Sequence, residues 1–363
     1  MRRRNFLSVP LAAAQAARGA EGEDRVYAYG DGIPLTPSAY GALLARREDD
    51  DLDVYSRGGA VEKLEARFAA LLGKETAVFL PTGTLANHLA MRLLAGERRR
   101  VLVQAEAHLY NDSGDCAQTL SGLNLIPLSP FTLSAAQRAA SDAIGGRVPT
   151  PLGALQIETP VRRLLGQRLP FDEMQRIAAW ARESRIGLHL DGARLLIECA
   201  YTGRPPAEYA ALFDTVYISL YKYLNAASGA ILAGPKRLLE GLYHTRRMFG
   251  GSLYQAWPSA AVALHHLDGF DKRFRAAVET SERVIAELQK DGSFEIERVA
   301  QGTNLFRLRT PGVNAPNFQS RLETAGLSTR LNPGDRTFVI QVNETWNRVP
   351  AGEIVNRFRR GFQ

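Results

Sequence analysis

The chain has 363 residues, of which 45% are apolar and 23% charged, so it is long enough for a large domain with a smaller companion. Its two cysteines, Cys116 and Cys199, exclude a disulfide framework and a cysteine-rich zinc site. The net charge is +7, but more than half of this excess comes from four arginines in the first twenty positions, which contain no acidic residue. The basic balance therefore does not predict a nucleic-acid partner.

Residues 1–22 are predicted to be a twin-arginine export signal, which implies a periplasmic protein that folds before export. Paired arginines precede Phe6 and Leu7, and a short alanine-rich apolar run with small residues follows. The alternative is a frayed basic leader on a cytoplasmic protein. No other stretch approaches the roughly 20 apolar residues that a membrane-spanning helix needs, so no membrane anchor is predicted.

Beyond the leader, short runs rich in β-forming residues alternate with longer stretches of helical period. The predicted strands lie in ETAVFLP, RRVLVQAEAH, GALQIETP, IGLHLDG, FDTVYISLYK and GAILAGP. The predicted amphipathic helices are Val61–Leu72, Leu85–Leu94, Phe171–Glu183 and Lys236–Met248. This alternation predicts an α/β domain over residues 23–268, with a mostly parallel sheet flanked by helices and a ligand at the carboxyl ends of the strands.

From residue 269 the pattern changes. A long helical stretch, FDKRFRAAVETSERVIAELQKDG, is followed by shorter apolar runs such as TNLFRLRT and TFVIQV. Residues 269–363 are therefore predicted to form a smaller α+β domain.

The first candidate site is the break that follows the strand in ETAVFLP. Pro81 ends the apolar run, and Thr82-Gly83-Thr84 opens a helix. Free backbone N–H groups, a hydroxyl and the positive end of the helix dipole predict a phosphate cradle at this point. The alternative is an ordinary helix N-cap.

The second and third candidates are an acid and a lysine at two other strand ends. Asp191 ends the apolar run GLHLD, where a buried carboxylate needs a partner such as a pyridinium nitrogen, or else a salt bridge with Arg194. Lys222 comes 31 residues later, where a lysine can form a Schiff base with an aldehyde or simply extend to the surface. Cradle, acid and lysine together match the three points by which proteins hold pyridoxal phosphate.

These motifs resemble those of the threonine aldolase and β-eliminating lyase family of fold-type-I pyridoxal-phosphate enzymes. The resemblance runs from about Asp53 to His266, through DVYSRGGAVEKLEARFAALLGKETAVFLPTGTLANHLA, HLDGARL and SLYKYLNAASGAILAGP. It implies an aspartate-aminotransferase-like large domain, pyridoxal 5′-phosphate as cofactor, and cleavage of a β-hydroxy amino acid into glycine and an aldehyde. The segment RRMFGGSLYQAW matches the family's loop between subunits, so a homodimer or homotetramer is expected.

The resemblance also implies roles for single residues. Lys222 would form the Schiff base with the cofactor, and Asp191 would pair with the ring nitrogen. The phosphate would be held by Gly83 and Thr84, with Ser219 as a further phosphate ligand.

Two more residues complete the site that the resemblance implies. Arg194 would lie near the ring oxygen and the substrate carboxylate. His108 would stack on the ring and, like Lys222, move protons, although a histidine taken alone is more often a packed core residue.

The chain departs from the family where the substrate carboxylate is held. Gly30-Asp31-Gly32 replaces Ser-Asp-Thr, Glu158-Thr159-Pro160-Val161-Arg162 replaces Glu-Asn-Thr-His-Asn, and Tyr221-Lys222 replaces Ser-Lys. Gln341 stands where a second carboxylate-binding arginine is expected, and Tyr254 where the family has a phosphate-binding arginine from the neighbouring subunit.

These losses leave alternatives open. Another arginine would have to bind the carboxylate, the candidates being Arg162, Arg163 and Arg330, or the substrate side chain would gain affinity from tyrosines that can equally be packing residues, namely Tyr110, Tyr221 and Tyr254. The alternative functions are β-elimination from another amino acid, or a cofactor-binding homologue that has lost catalysis.

Overall fold

A computed structural model of the chain describes residues 23–33, 35–46, 52–332, 334 and 336–363. The predicted export signal of residues 1–22 lies outside the described residues. The strands are β1 (Val26–Tyr27), β2 (Thr76–Leu80), β3 (Arg100–Gln104), β4 (Asn124–Leu128), β5 (Leu152–Glu158), β6 (Gly187–Asp191), β7 (Thr215–Ser219), β8 (Ala230–Gly234), β9 (Glu295–Glu297), β10 (Leu305–Arg309), β11 (Leu327–Ser328) and β12 (Phe338–Gln341).

The helices are α1 (Pro37–Ala45), α2 (Gly59–Leu72), α3 (Gly83–Ala95), α4 (His108–Asn111), α5 (Cys116–Ser121), α6 (Leu133–Gly145), α7 (Phe171–Glu183), α8 (Leu195–Thr202), α9 (Pro206–Ala210), α10 (Lys236–Leu239), α11 (Leu242–Met248), α12 (Trp257–Leu267), α13 (Phe270–Lys290), α14 (Ala315–Thr324) and α15 (Ala351–Arg360). Short 3₁₀ turns lie at Arg162–Leu164 and Glu344–Asn347.

A seven-stranded sheet with the order β2-β8-β7-β6-β5-β3-β4 forms the centre of the fold. Strands β3 to β7 are mutually parallel, and β8 runs antiparallel to both of its neighbours, β7 and β2. The predicted mostly parallel sheet is therefore confirmed. The edge strand β4 was not predicted, because its residues are mostly accessible and Pro127 interrupts its apolar run.

The strands at the centre of the sheet are apolar on both faces, as expected of strands that helices cover on both sides. Every residue of β5, β7 and β8 is buried, as expected of a parallel sheet between helices. Helix α3 packs across β5, β6, β7 and β8. Its close approach requires Gly187, since a Cβ there would lie 2.8 Å from the Cβ of Leu94.

The C-terminal part has a hydrophobic core of its own, as predicted for a smaller α+β unit. Strands β12, β10 and β9 form an antiparallel sheet in that order, against α13, α14 and α15. The short strand β1 pairs in parallel with β11, and Val26 and Ala28 join this C-terminal core. Residues 26–28, near the start of the described chain, thus pack with the C-terminal unit. The predicted domain boundary between residues 268 and 269 stays a prediction.

One predicted helix is divided into two in the structure. The helix expected over Lys236–Met248 is interrupted between α10 and α11 at Gly241, and glycine is a poor helix former. Among the residues that the structure describes, no helix combines the length and apolarity that crossing a membrane requires.

Candidate cofactor and substrate site

The carboxyl ends of β6 and β7 and the start of α3 meet at one edge of the central sheet and enclose a cavity of about 160 Å³. Six of the seven predicted site residues line it, namely Gly83, Thr84, His108, Asp191, Arg194 and Lys222. The seventh, Ser219, ends β7 and is fully buried, but it is not among the lining residues.

The Thr82-Gly83-Thr84 segment at the start of α3 is both a helix N-cap and a candidate phosphate cradle. Thr82 is an N-cap, since its hydroxyl accepts a hydrogen bond from the Leu85 N–H at 3.2 Å. Gly83 and Thr84 face the cavity, and a Cβ at Gly83 would overlap the Tyr217 hydroxyl. Only glycine fits this close approach, which leaves the first backbone N–H groups of a 13-residue helix facing the cavity.

Asp191 is a buried carboxylate without an ion-pair partner among the described residues. Its Oδ2 accepts a hydrogen bond from Asn87 Nδ2 at 2.6 Å, and its Oδ1 accepts one from the Ala193 N–H at 3.1 Å. The salt bridge with Arg194 that the sequence left open does not form. A buried anion of this kind needs a cationic partner, and a protonated ring nitrogen in the cavity would supply it.

Arg194 pairs instead with Asp31. Its Nε and Nη2 both lie 2.9 Å from Asp31 Oδ2, and the two side chains are only 11% and 5% exposed. Burial alone would lower the pKa of Arg194, but the charge and hydrogen bonds of Asp31, followed by the charge of Glu158, outweigh it and raise that pKa. Asp31 also accepts hydrogen bonds from Gln341 and Asn304.

His108 opens α4 and is held there by Glu158. The His108 N–H donates to Glu158 Oε2 at 2.6 Å, and Ser113 Oγ lies 3.2 Å from His108 Nδ1. Burial, opposed by the charge of Asp191, lowers the pKa of His108, so the ring is neutral at neutral pH. Ser113 Oγ donates its proton to the His108 carbonyl, so it accepts from Nδ1–H and leaves Nε2 as the basic nitrogen.

Glu158 itself is a buried acid beside the cavity. Burial and then the neighbouring charge of Asp191 raise its pKa to about 7, although it accepts hydrogen bonds from the backbone N–H groups of His108 and Arg162. In the sequence, Glu158 is visible only as part of a changed motif, and nothing there indicates that it supports His108.

Lys222 lies in the turn after β7 and lines both this cavity and a larger one beside it. Its Nζ is 4.9 Å from the centre of the Tyr221 ring and 6.0 Å from that of Tyr217. The turn packs tightly against the N-terminal segment, because a Cβ at Gly32 would overlap the Lys222 carbonyl and the Asn225 side chain.

The larger cavity, of about 630 Å³, is the space beside Lys222 and Arg194. It is lined by two glycines, by aromatic and aliphatic side chains and by one further arginine, the lining including Gly30, Gly32, Ile33, Tyr29, Tyr40, Tyr221 and Arg330. No atom lies within 4 Å of the position that a Cβ at Gly30 would occupy.

The arginines proposed as replacements differ in availability. Arg162 and Arg163 both bind Asp112, at 2.6 Å and 2.7 Å, and the hydrogen bond from Arg163 followed by that from Arg162 lowers the pKa of Asp112 to about 2. Arg330 lies over the Tyr29 ring, with its guanidinium carbon 4.6 Å from the ring centre.

The three candidate tyrosines are not equivalent. Tyr221 lines both cavities, whereas Tyr110 and Tyr254 line neither. Tyr254 is 63% exposed and packs edge-on against Tyr55.

Besides Glu158, three polar residues of the site were missed in the sequence, and two of these three carried a signal. Asn87 lies one helical turn after Gly83, and His189 lies two residues before Asp191, so each points to the same side as a predicted residue. The pairing of Asp31 with Arg194 spans 163 residues and carries no local signal.

The site fits pyridoxal phosphate at the points where that molecule needs ligands. The start of α3 offers N–H groups to a phosphate, Asp191 is a buried anion in need of a protonated nitrogen, and Lys222 lines the same cavity. With a seven-stranded, mostly parallel sheet and a small antiparallel sheet beside it, the fold and site define a fold-type-I pyridoxal-phosphate enzyme.

The chain belongs to the β-eliminating lyase family, whose model matches residues 35–310. Its sequence is 28% identical to the low-specificity L-threonine aldolase of Candida albicans over 222 residues, which are 59% of each protein. It is also 28% identical over 221 residues to the low specificity L-threonine aldolase of Saccharomyces cerevisiae, over 59% of this chain and 56% of that one. The chain thus matches less than two thirds of the length of these relatives.

Solved structures share the fold over nearly the whole chain. A candidate aromatic amino acid β-eliminating lyase/threonine aldolase from Exiguobacterium sp. 255-15 superposes with a TM-score of 0.78 at 26% identity, over 93% of this chain and 97% of that one. A threonine aldolase from Leishmania major has a TM-score of 0.72 at 16% identity, over 92% and 98%. Family and fold together imply pyridoxal 5′-phosphate as the cofactor.

Proposed function

We propose that the protein is a pyridoxal-phosphate-dependent lyase that cleaves the Cα–Cβ bond of a β-hydroxy amino acid, which yields glycine and an aldehyde. The observation that carries this proposal is the convergence of Lys222, Asp191, His108 and the start of α3 on one cavity. When bound, the cofactor supplies an electron-accepting ring that stabilises negative charge at the substrate α-carbon.

The residues of this chain divide the remaining work. Lys222 would hold the cofactor aldehyde, Asp191 the ring nitrogen, and Gly83 and Thr84 the phosphate. Ser219 stays a candidate phosphate ligand on its resemblance to the family alone. Arg194 has one guanidinium edge occupied by Asp31, so its Nη1 is the group left to reach the ring oxygen.

His108 is the proposed base for bond cleavage. Its lowered pKa keeps the imidazole neutral, and Ser113 leaves Nε2 free to accept the proton of the substrate β-hydroxyl. As that proton leaves, the Cβ–O bond becomes the aldehyde carbonyl and the electron pair of the Cα–Cβ bond stays at Cα. A proton returned to Cα by His108 or Lys222 completes glycine.

The carboxylate site lacks the serine and the second arginine that the resemblance to threonine aldolases implies at the positions of Gly30 and Gln341. Asp31 occupies the Nε and Nη2 edge of Arg194, so a substrate carboxylate finds a neutral pair there rather than a free cation. Arg330, at the wall of the larger cavity, is the proposed replacement ligand. The size and aromatic lining of that cavity favour a bulky substrate side chain, and β-elimination from such an amino acid is the second candidate reaction.

The test is a spectroscopic and kinetic comparison of substrates. Glycine and L-allo-threonine should change the visible spectrum of the cofactor-loaded protein, and phenylserine should be cleaved with a higher kcat/KM than L-threonine. Cysteine conjugates test β-elimination. Spectra that no amino acid alters would indicate a cofactor-binding homologue without catalysis, and a kcat/KM for L-threonine of about 10⁴ M⁻¹s⁻¹ or more would identify a plain threonine aldolase.

We further propose that the protein is a homodimer or a homotetramer. Apolar side chains are exposed on two neighbouring loops, which hydrogen-bond through Tyr55 N–H and the Tyr254 carbonyl at 2.8 Å, and at the adjoining end of α11. They are Leu52, Val54, Tyr55, Met248, Leu253 and Tyr254. A second copy would cover this surface. Light scattering at micromolar concentration should give at least twice the mass of the chain, and a monomer that still binds the cofactor would contradict the proposal.

Export through the twin-arginine route is likewise a proposal, supported by the sequence of residues 1–22 alone. In a bacterial host that has this pathway, the full chain should appear in the periplasm, and replacing Arg3 and Arg4 by lysine should leave it in the cytoplasm. Equal periplasmic amounts of both proteins would refute the role of these arginines.

A further inference from the structure

We propose that Thr215, His189 and Asn87 form a chain of hydrogen bonds, all donated in one direction, that holds Asp191 as an ionised acceptor and thereby keeps the cofactor ring nitrogen protonated. These three residues are positioning residues, since they act through Asp191. Asn87 also lines the cofactor cavity, whereas Thr215 and His189 line neither cavity. The inference rests on the cofactor assignment and is independent of the substrate and of the reaction.

The chain of contacts is continuous from the central sheet to the cofactor cavity. Thr215 Oγ1 lies 2.8 Å from His189 Nδ1, His189 Nε2 lies 2.8 Å from Asn87 Oδ1, and Asn87 Nδ2 lies 2.6 Å from Asp191 Oδ2. Strands β6 and β7 supply His189, Asp191 and Thr215, with His189 directly opposite Thr215 in the ladder. Helix α3 supplies Asn87, which connects His189 to Asp191.

The direction of the chain follows from the donors and acceptors available. An ionised Asp191 only accepts, so the Asn87 amide group donates to it and turns its Oδ1 towards His189. His189 Nε2 must then carry the proton, which leaves Nδ1 as an acceptor for the Thr215 hydroxyl. Each group thus donates towards the carboxylate, and the backbone N–H of Ala193 does the same at Oδ1.

Burial makes this arrangement consequential. All four side chains are at most 1% exposed, so a polar group left without its partner is costly. Burial lowers the pKa of His189 to about 3, so the imidazole is neutral and transmits a hydrogen bond rather than a charge. The neutral hydrogen-bond chain donates to the Asp191 carboxylate without placing a cation beside it. The negative charge of Asp191 therefore remains available to the cofactor nitrogen.

Other charged and titratable groups also face Asp191 and are common to every variant tested below. They are His108 from α4, Glu158 from β5, Tyr217 from β7, and Lys222 and Arg194 from the loops after β7 and β6. A change in the protonation of the ring nitrogen that appears only when the hydrogen-bond chain is broken therefore does not come from these groups.

The experiment follows the ring nitrogen directly, by ¹⁵N NMR of the full protein loaded with ring-¹⁵N pyridoxal phosphate. In the wild type the nitrogen should stay protonated through the neutral range. In Asn87→Ala and His189→Phe the Asp191 carboxylate loses stabilisation and becomes the stronger base, so the proton that it shares with the ring nitrogen should move towards Asp191. The ratio of protonated to unprotonated ring nitrogen at neutral pH should fall roughly tenfold, which corresponds to about one pKa unit between the two groups. His189→Gln keeps a donor towards Asn87 and should restore most of the difference.

His88→Phe is the matched control. His88 follows Asn87 on α3 and is 2% exposed. Its Nε2 lies 2.7 Å from Ser121 Oγ, so it hydrogen-bonds outside the chain from Thr215 to Asp191. It should leave the titration of the ring nitrogen unchanged. An equal shift in His88→Phe, or no shift in Asn87→Ala, overturns the proposal, as does a wild-type His189 whose own ¹⁵N signals place the proton on Nδ1.

Thr215→Val keeps the test decisive if the larger changes prevent folding. It removes only the far donor and should lower the protonated fraction of the ring nitrogen by a smaller amount, an effect that vanishes when Asn87→Ala is also present because the hydrogen-bond chain is then already broken. A Thr215→Val shift that adds to that of Asn87→Ala would refute the coupling. Failure of the wild type to bind the cofactor at all would instead refute the cofactor assignment.

Discussion

Removal of Asp31 should destabilise the protein far more than removal of Asp112, although each carboxylate binds arginine. Asp31 is 5% exposed and Arg194 11%, with three nitrogen–oxygen contacts between 2.9 Å and 3.1 Å. Asp31→Ala leaves a buried guanidinium without its partner, which costs about 3 to 5 kcal/mol. The hydrogen bonds from Gln341 and Asn304 are lost as well.

Asp112→Ala is the matched comparison. Asp112 binds two arginines at distances as short as those of Asp31, but Arg162 and Arg163 are 46% and 43% exposed. Solvent screens such pairs, so the loss should not exceed about 1 kcal/mol. Urea unfolding of the cofactor-free protein, at one fixed protein concentration because an oligomer's stability depends on it, measures both values.

The double variant Asp31→Ala with Arg194→Ala completes the experiment. With no charge left unpaired, it should lose less stability than the sum of the two single variants. If Asp31→Ala proves no more destabilising than Asp112→Ala, or if the two single losses simply add, then Arg194 is not held by Asp31 in solution. The carboxylate-binding edge of Arg194 would then be open to a substrate.

Three further results are expected. Lys222→Ala should abolish fixation of the cofactor to the protein by borohydride, and persistent fixation would assign the aldehyde to another lysine. Gly83→Ala should weaken pyridoxal phosphate binding at least tenfold, about 1.4 kcal/mol, because its Cβ overlaps the Tyr217 hydroxyl, whereas Gly352→Ala, with no atom within 4 Å, should not. Burial raises the pKa of Glu198 from 4.5 to about 7, so the folded state holds a proton that the unfolded chain releases, and stability falls as the pH rises through this window. Unfolding of Glu198→Gln across that pH range should show a shallower fall, and an unchanged slope would refute the shift.

The sequence by itself determined the parts of the protein that local patterning encodes. Continuous apolar runs such as those of β5, β7 and β8 predicted buried parallel strands, because such strands need apolar residues on both faces. Asp191 and Lys222 stood out because polar residues at the ends of apolar strands need a chemical reason. The smaller α+β unit could likewise be predicted from the change of pattern along the chain, although its boundary at residue 268 stays a prediction.

Only the tertiary structure decided which groups meet. The sequence left Arg194 equally available to Asp191 and to a substrate, and the fold assigns it to Asp31, which is 163 residues away along the chain. The chain from Thr215 to Asp191 similarly joins two strands and a helix through side chains whose partners no local pattern specifies. Strand and helix formation follow from the period of the sequence over a few residues, whereas the partners of buried polar groups depend on the packing of distant elements, and it is those partners that set the chemistry of the site.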